Sequence, residues 1–127
     1  MTDPDAFALA LSCARTADAE HGADVTVLDV GDLIAIAEYF VIASAGNRRL
    51  VATLVERIEE RAKADVTRSP LRIEGNDQQQ WVLMDYGDVV VHVFLTEIRE
   101  FYDIERLYRD VPTVDWRVDG DGAGTEA

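Results

Sequence analysis

The chain has 127 residues, 48% of them hydrophobic and 29% charged, with a net charge of −13. That length fits one domain with a modest core and excludes a disordered chain by composition. The acidity excludes a protein that grips nucleic acid by itself, because phosphate neutralisation needs a basic face. A basic protein partner is compatible, since opposite fields steer encounter.

The N-terminus, "MTDPDAFALALSCA", is acidic and lacks the basic region of signal and transit peptides, which points to a cytoplasmic protein. No apolar run approaches the ~20 residues that a membrane-spanning helix needs. Cys13 is the only cysteine and reads as a small apolar helix residue in a reducing compartment.

Asp3-Pro4 offers an N-cap followed by proline at the first helical position. Phe7, Ala10, Leu11, Ala14 and Ala17 recur at helical spacing, and Gly22 follows as a stop. Residues 24–30, "DVTVLDV", alternate as a strand does, and Gly31-Asp32 make a turn. A second strand is centred on Tyr39 to Ala43. Asn47 caps the next helix, whose apolar stripe is Leu50, Val51, Leu54, Val55, Ile58 and Ala62. A short third strand follows Pro70 and ends at Gly75. Residues 96–110 space their apolar side chains for one or two short helical segments, closed by Pro112. The last residues, "VDGDGAGTEA", are Gly-rich and acidic, the composition of a disordered tail.

Trp81 to Phe94, "WVLMDYGDVVVHVF", supplies two more strands around Tyr86-Gly87. Strand alternation divides it into two faces. Val82, Met84, Val89, Val91 and Val93 form an apolar core face. Trp81, Leu83, Asp85, Asp88, Val90 and His92 form a mixed face, the functional one if there is one. The expected register sets Asp85 opposite Asp88, Leu83 opposite Val90 and Trp81 opposite His92. Two facing Asp at a hairpin mouth could bind a cation, but a hydrated turn pair is the simpler reading. His92 has only His21 and Cys13 elsewhere to share a zinc ion with, so no metal site is expected. No P-loop, Gly-x-Gly-x-x-Gly or nucleophile elbow is present. A rigid Trp81 steadied by His92 in a polar surround has the character of a binding hot spot, with Tyr86 extending the contact from the turn.

The run from Glu74-Gly75 through Trp81, "LMDYGDVVVHVF", Arg99, Tyr102, Glu105 and Leu107 resembles the ribosomal silencing factor family, also called Iojap-like. "EYFVIASA" with Arg49 and Val51 matches the family's earlier strand-and-helix segment. Three positions depart from the family's habit. Glu38 stands for a usual Asp, Ala45 for a common Gly, and Tyr108 for a common Trp.

The resemblance implies an α/β fold with a mixed five-stranded sheet, related to nucleotidyltransferases. It implies a domain over residues 1–112, leaving 113–127 as an acidic tail. It implies a factor without cofactor that binds a basic protein on the inter-subunit face of the large ribosomal subunit. Such a factor blocks joining of the small subunit under nutrient limitation and is homodimeric when free. The partner-binding set carried over is Trp81, Asp85, Tyr86, Asp88, His92, Arg99, Tyr102, Glu105 and Tyr108. The rival reading is a nucleotidyltransferase-like enzyme. Ser44-Ala45-Gly46 precedes a helix as that chemistry wants, but the Asp-x-Asp that should follow on a strand is missing.

Overall fold

Helix α1 (Pro4–Ala19) begins at the anticipated proline and ends ahead of Gly22. The Gly22 N–H donates to the Ala17 carbonyl at 2.7 Å, and a Cβ on Gly22 would press against that same oxygen. The computed structural model describes residues 4–34 and 36–117, so the anticipated Asp3 cap and most of the acidic tail lie outside the described residues. Five strands follow: β1 (Ala23–Asp29), β2 (Tyr39–Ala45), β3 (Arg72–Glu74), β4 (Trp81–Asp85) and β5 (Val89–Leu95). Helix α2 (Arg48–Val66) joins β2 to β3, and the short helices α3 (Thr96–Tyr102) and α4 (Ile104–Leu107) follow β5.

The strands form one sheet in the order β1-β2-β5-β4-β3. β2 and β5 run parallel at its centre, and every other pairing is antiparallel. The sheet is mixed, as the resemblance implied. The order puts β2 and β5 side by side although α2, β3 and β4 separate them in sequence.

α2 starts where Asn47 accepts a hydrogen bond from the Leu50 N–H at 2.8 Å. Its buried stripe is Val51, Leu54, Val55, Ile58 and Ala62, with Leu50 half-buried beside it. α1 and α2 lie together on one face of the sheet. There they cover Val41 and Ala43 of β2, Val91 and Val93 of β5, and Val82 and Met84 of β4. The core face expected for the Trp81–Phe94 stretch is thus fully buried. Each such aliphatic side chain contributes roughly 1.5–3 kcal/mol on burial.

The opposite face carries Leu28, Phe40, Ile42 and Phe94, with Trp81 packed at the margin. α3 and α4 cover it. The chain breaks between them at Asp103, which takes a left-handed φ of 49°. Residues 96–110 therefore hold two helical segments.

The chain continues to pack on the sheet after Pro112. Residues 112–116 run antiparallel along the outer edge of β1. Asp29 N donates to Pro112 O at 2.8 Å, and Val114 N donates to Val27 O at 2.9 Å. Trp116 is only 4% exposed, and its indole N–H donates to Val25 O at 3.0 Å. Residues 112–116, of which 113–116 were placed in the tail by the expected boundary, thus pack against β1. Polar composition around a single aromatic hid a segment whose backbone caps an otherwise open strand edge.

Candidate docking face

The hairpin register differs from the expected one by two residues. Trp81 pairs with Phe94, Leu83 with His92, and Asp85 with Val90. Tyr86 N donates to Val89 O at 2.9 Å, leaving Gly87-Asp88 as the loop. Gly87 takes φ +90°, the conformation that favours glycine at the first residue of a tight hairpin loop. A slide of two residues preserves the faces, so the division into core and mixed sides stands.

The slide separates the two aspartates. Asp85 Oδ1 accepts from Gly87 N at 2.8 Å, and Asp85 Oδ2 lies 3.3 Å from Arg72 Nη2. Asp88 receives both Arg68 Nη2 at 2.7 Å and Nη1 at 3.3 Å, and Arg68 Nη2 also donates to Tyr86 O at 3.1 Å. The acids do not face each other, and each is answered by its own arginine. Both tie the turn to neighbouring elements.

Tyr86 overturns its expected place. Counting alternation from β4 puts it with Val82 and Met84, and it is 3% exposed among the core side chains. Its ring cannot extend a contact from the turn. Burial also pushes its phenol well above the usual value.

His92 and Arg99 are buried as well. His92 Nδ1 accepts from Trp81 Nε1 at 3.2 Å. The neutral imidazole therefore carries its proton on Nε2, which has no hydrogen-bond partner among the described residues. Burial lowers the His92 pKa from 6.5 to about 4. Arg99 Nη1 donates to Ser44 Oγ at 3.1 Å and to Ala23 O at 3.4 Å. Its Nη2 and Nε both reach Glu105 Oε2, at 2.6 and 3.2 Å. The Arg99 hydrogen bonds hold the half-exposed Glu105 carboxyl below its ordinary pKa, against a smaller opposing effect of burial.

What the structure assembles is a row of rings. Tyr108 meets Phe40 edge-on at 5.3 Å, and Phe40 meets His92 at 4.8 Å. His92 holds the Trp81 indole, which stacks on Phe94 at 4.8 Å and touches Tyr102 at 5.1 Å. Tyr102 touches Phe101 at 5.1 Å. The row runs from the interior to the surface, where Tyr102 is 54% and Phe101 78% exposed. Four of the nine expected residues, Trp81, His92, Tyr102 and Tyr108, lie in it. Phe40, Phe94 and Phe101 were not among the candidates.

At the surface end a cleft of about 220 Å³ opens between α3 and the β3–β4 loop, lined by Gly75, Gln78, Gln80, Trp81, Ile98 and Tyr102. Gly75, at φ +83°, is required there, because a Cβ would collide with the Trp81 carbonyl oxygen. A second cleft, about 510 Å³, lies at the other end, where α4 meets residues 29–33 and exposes Leu33 and Leu107.

The sequence feature that suggested nucleotide chemistry is turned inward. Ser44 is buried, and its hydroxyl donates to Ala23 O at 3.1 Å while accepting from Arg99. Among the described residues no group of three or more His, Cys, Asp or Glu could hold a metal ion. No helix among them is long and apolar enough to cross a membrane.

The fold is a mixed five-stranded α/β sheet with one aromatic face, buried inside and exposed at its margin. Residues 3–126 match the family model described as ribosomal silencing factor during starvation. The ribosomal silencing factor of Bacillus subtilis is 33% identical over 102 residues, covering 80% of this chain and 86% of that one. A mouse protein named for mitochondrial assembly of the large ribosomal subunit is 33% identical over 91 residues, 70% of this chain and 40% of that one. A crystal structure from Chromobacterium violaceum superposes with a TM-score of 0.73 at 29% identity, covering 86% of this chain and 88% of that one. The chain belongs to the ribosomal silencing factor, or Iojap, family, whose members are non-enzymatic ribosome regulators.

Proposed function

We propose that this chain docks on the large ribosomal subunit through a basic ribosomal protein at the inter-subunit face. Seated there, it blocks joining of the small subunit and represses translation when nutrients are short. It works in the cytoplasm, is homodimeric when free, and makes little direct contact with nucleic acid.

The observation that carries this reading is the surface end of the aromatic row. Trp81 is fixed by its bond to His92 and its stacking on Phe94. Tyr102 and Phe101 stand exposed beside it on a chain of net charge −13. Rigid aromatic anchors in a polar surround are the usual centres of binding energy, and an acidic field draws a basic partner. The relationship to a relative named for large-subunit assembly supports the choice of subunit.

Co-sedimentation with isolated large subunits tests the reading. The wild-type chain should travel with large subunits and keep added small subunits from joining them. A chain that sediments with neither, or that leaves subunit joining unchanged at saturation, would refute it.

A further inference from the structure

Arg99 and Glu105 came into the partner-binding set by resemblance, yet Arg99 is buried and faces the sheet. From α3, its guanidinium reaches three other elements at once: β1 through Ala23 O, β2 through Ser44 Oγ, and α4 through Glu105. α3 and α4 have only seven and four residues, too short to hold their shape alone. The hinge between them is Asp103, a non-glycine residue in the left-handed region, whose N–H donates to Arg99 O at 2.8 Å. Arg99 therefore holds this elbow twice, by its carbonyl at Asp103 and by its guanidinium across the hinge at Glu105.

The same α3 carries Ile98 and Tyr102, one turn apart, as one wall of the cleft beside Trp81. α4 carries Leu107 into the second cleft. The angle of the elbow thus sets how both exposed apolar patches are presented. We propose that the Arg99–Glu105 pair, with Ser44 as its anchor in the sheet, is a positioning strut that fixes the α3–α4 elbow and so shapes the docking surface without touching the partner. This rests on the docking reading above, but the ordering of the elbow can be measured without any partner.

The test compares wild type with Glu105→Ala, Glu105→Asp and Arg99→Lys in two measurements. One is amide hydrogen exchange over residues 96–108, with β2 and β5 as internal reference. The other is affinity for isolated large subunits. With Glu105→Ala, exchange in 96–108 should speed up by roughly tenfold or more while β2 and β5 stay protected, because the opening is local. Affinity should fall by a similar factor. Arg99→Lys should show both effects, since an ammonium cannot hold Glu105 and Ser44 together in a planar fork. Glu105→Asp, which keeps the charge, should recover part of both.

Weakened binding with unchanged exchange would make Glu105 a direct contact and overturn the strut. Unchanged exchange in Glu105→Ala overturns it whatever the binding result. If wild type itself fails to bind large subunits, the docking reading falls, and the exchange arm alone decides the strut.

Discussion

The indole N–H of Trp81 donates to Nδ1 of His92 at 3.2 Å, tying a half-exposed aromatic on β4 to a buried imidazole on β5. The bond needs neutral His92. A protonated ring would turn an N–H toward the indole N–H and would carry an unpaired charge among Phe40, Phe94 and Trp81.

Stability should therefore fall in a defined acid window. The unfolded chain protonates His92 near 6.5, whereas the folded chain resists to about 4. Between these values the unfolded state binds the extra proton, so stability is full above 6.5 and is lost as pH falls through the window. The difference corresponds to roughly 3 kcal/mol. Denaturant melts of wild type and His92→Phe should diverge in pH dependence over this window, the variant being flatter. Parallel slopes would mean that His92 titrates normally in the fold.

Tyr102→Ala and Phe101→Ala should separate binding from stability. Both side chains are mostly exposed, so their loss should leave the melt near wild type. Truncating an interface anchor costs ~2 kcal/mol or more, about thirtyfold in affinity for the large subunit. Trp81→Ala should do both kinds of damage, because its ring also packs on Phe94 at 4.8 Å. Tyr102→Ala with undiminished co-sedimentation would remove this face from the docking surface.

Tyr86 should behave as core. Tyr86→Phe deletes a buried hydroxyl with no hydrogen-bond partner among the described residues, so stability should hold or rise slightly. Tyr86→Ala should cost about 3–5 kcal/mol, as large aromatic truncations in a packed core do. Any protein that remains folded should still bind. Chemical denaturation beside a pull-down reads both.

Trp116 should matter as much as any residue of the sheet. Trp116→Ala removes a buried indole together with its hydrogen bond to Val25 O, and should cost about 3–5 kcal/mol. Exchange should rise first along β1, whose outer edge it protects. A melt within 1–2 °C of wild type, corresponding to only a few tenths of a kcal/mol, would show that residues 112–116 add little.

Association should be faster at low salt. Asp85, Asp88, Glu105 and Glu74 each sit beside an arginine, so exposed acids such as Asp77 and Glu97 are the ones able to steer. Glu97→Lys should slow association more than it speeds dissociation. On-rates that do not change between low and physiological ionic strength would contradict the steering argument.

Local pattern made much of this protein legible before any coordinates. The Asn47 cap, the Val51–Ala62 stripe and the apolar alternation of Val82, Met84, Val89, Val91 and Val93 depend on neighbours a few residues away. A 3.6- or 2-residue period reports such features directly. The motif around Trp81 carried the family and the mixed five-stranded fold, and marked one end of the aromatic row. Tertiary structure decided the rest. The hairpin slid by two residues because Gly87, not Tyr86, could take the positive φ at the first loop position, and this buried Tyr86 and parted Asp85 from Asp88. Arg99 and Glu105 both entered as partner-binding residues, yet Ser44, 55 positions before Arg99 in the chain, draws the guanidinium inward. Trp116 looked like the start of a tail until the unpaired edge of β1 gave its backbone and indole N–H partners about 90 residues away. Burial and hydrogen-bond partners of this kind arise from contacts between distant segments, which no local periodicity records.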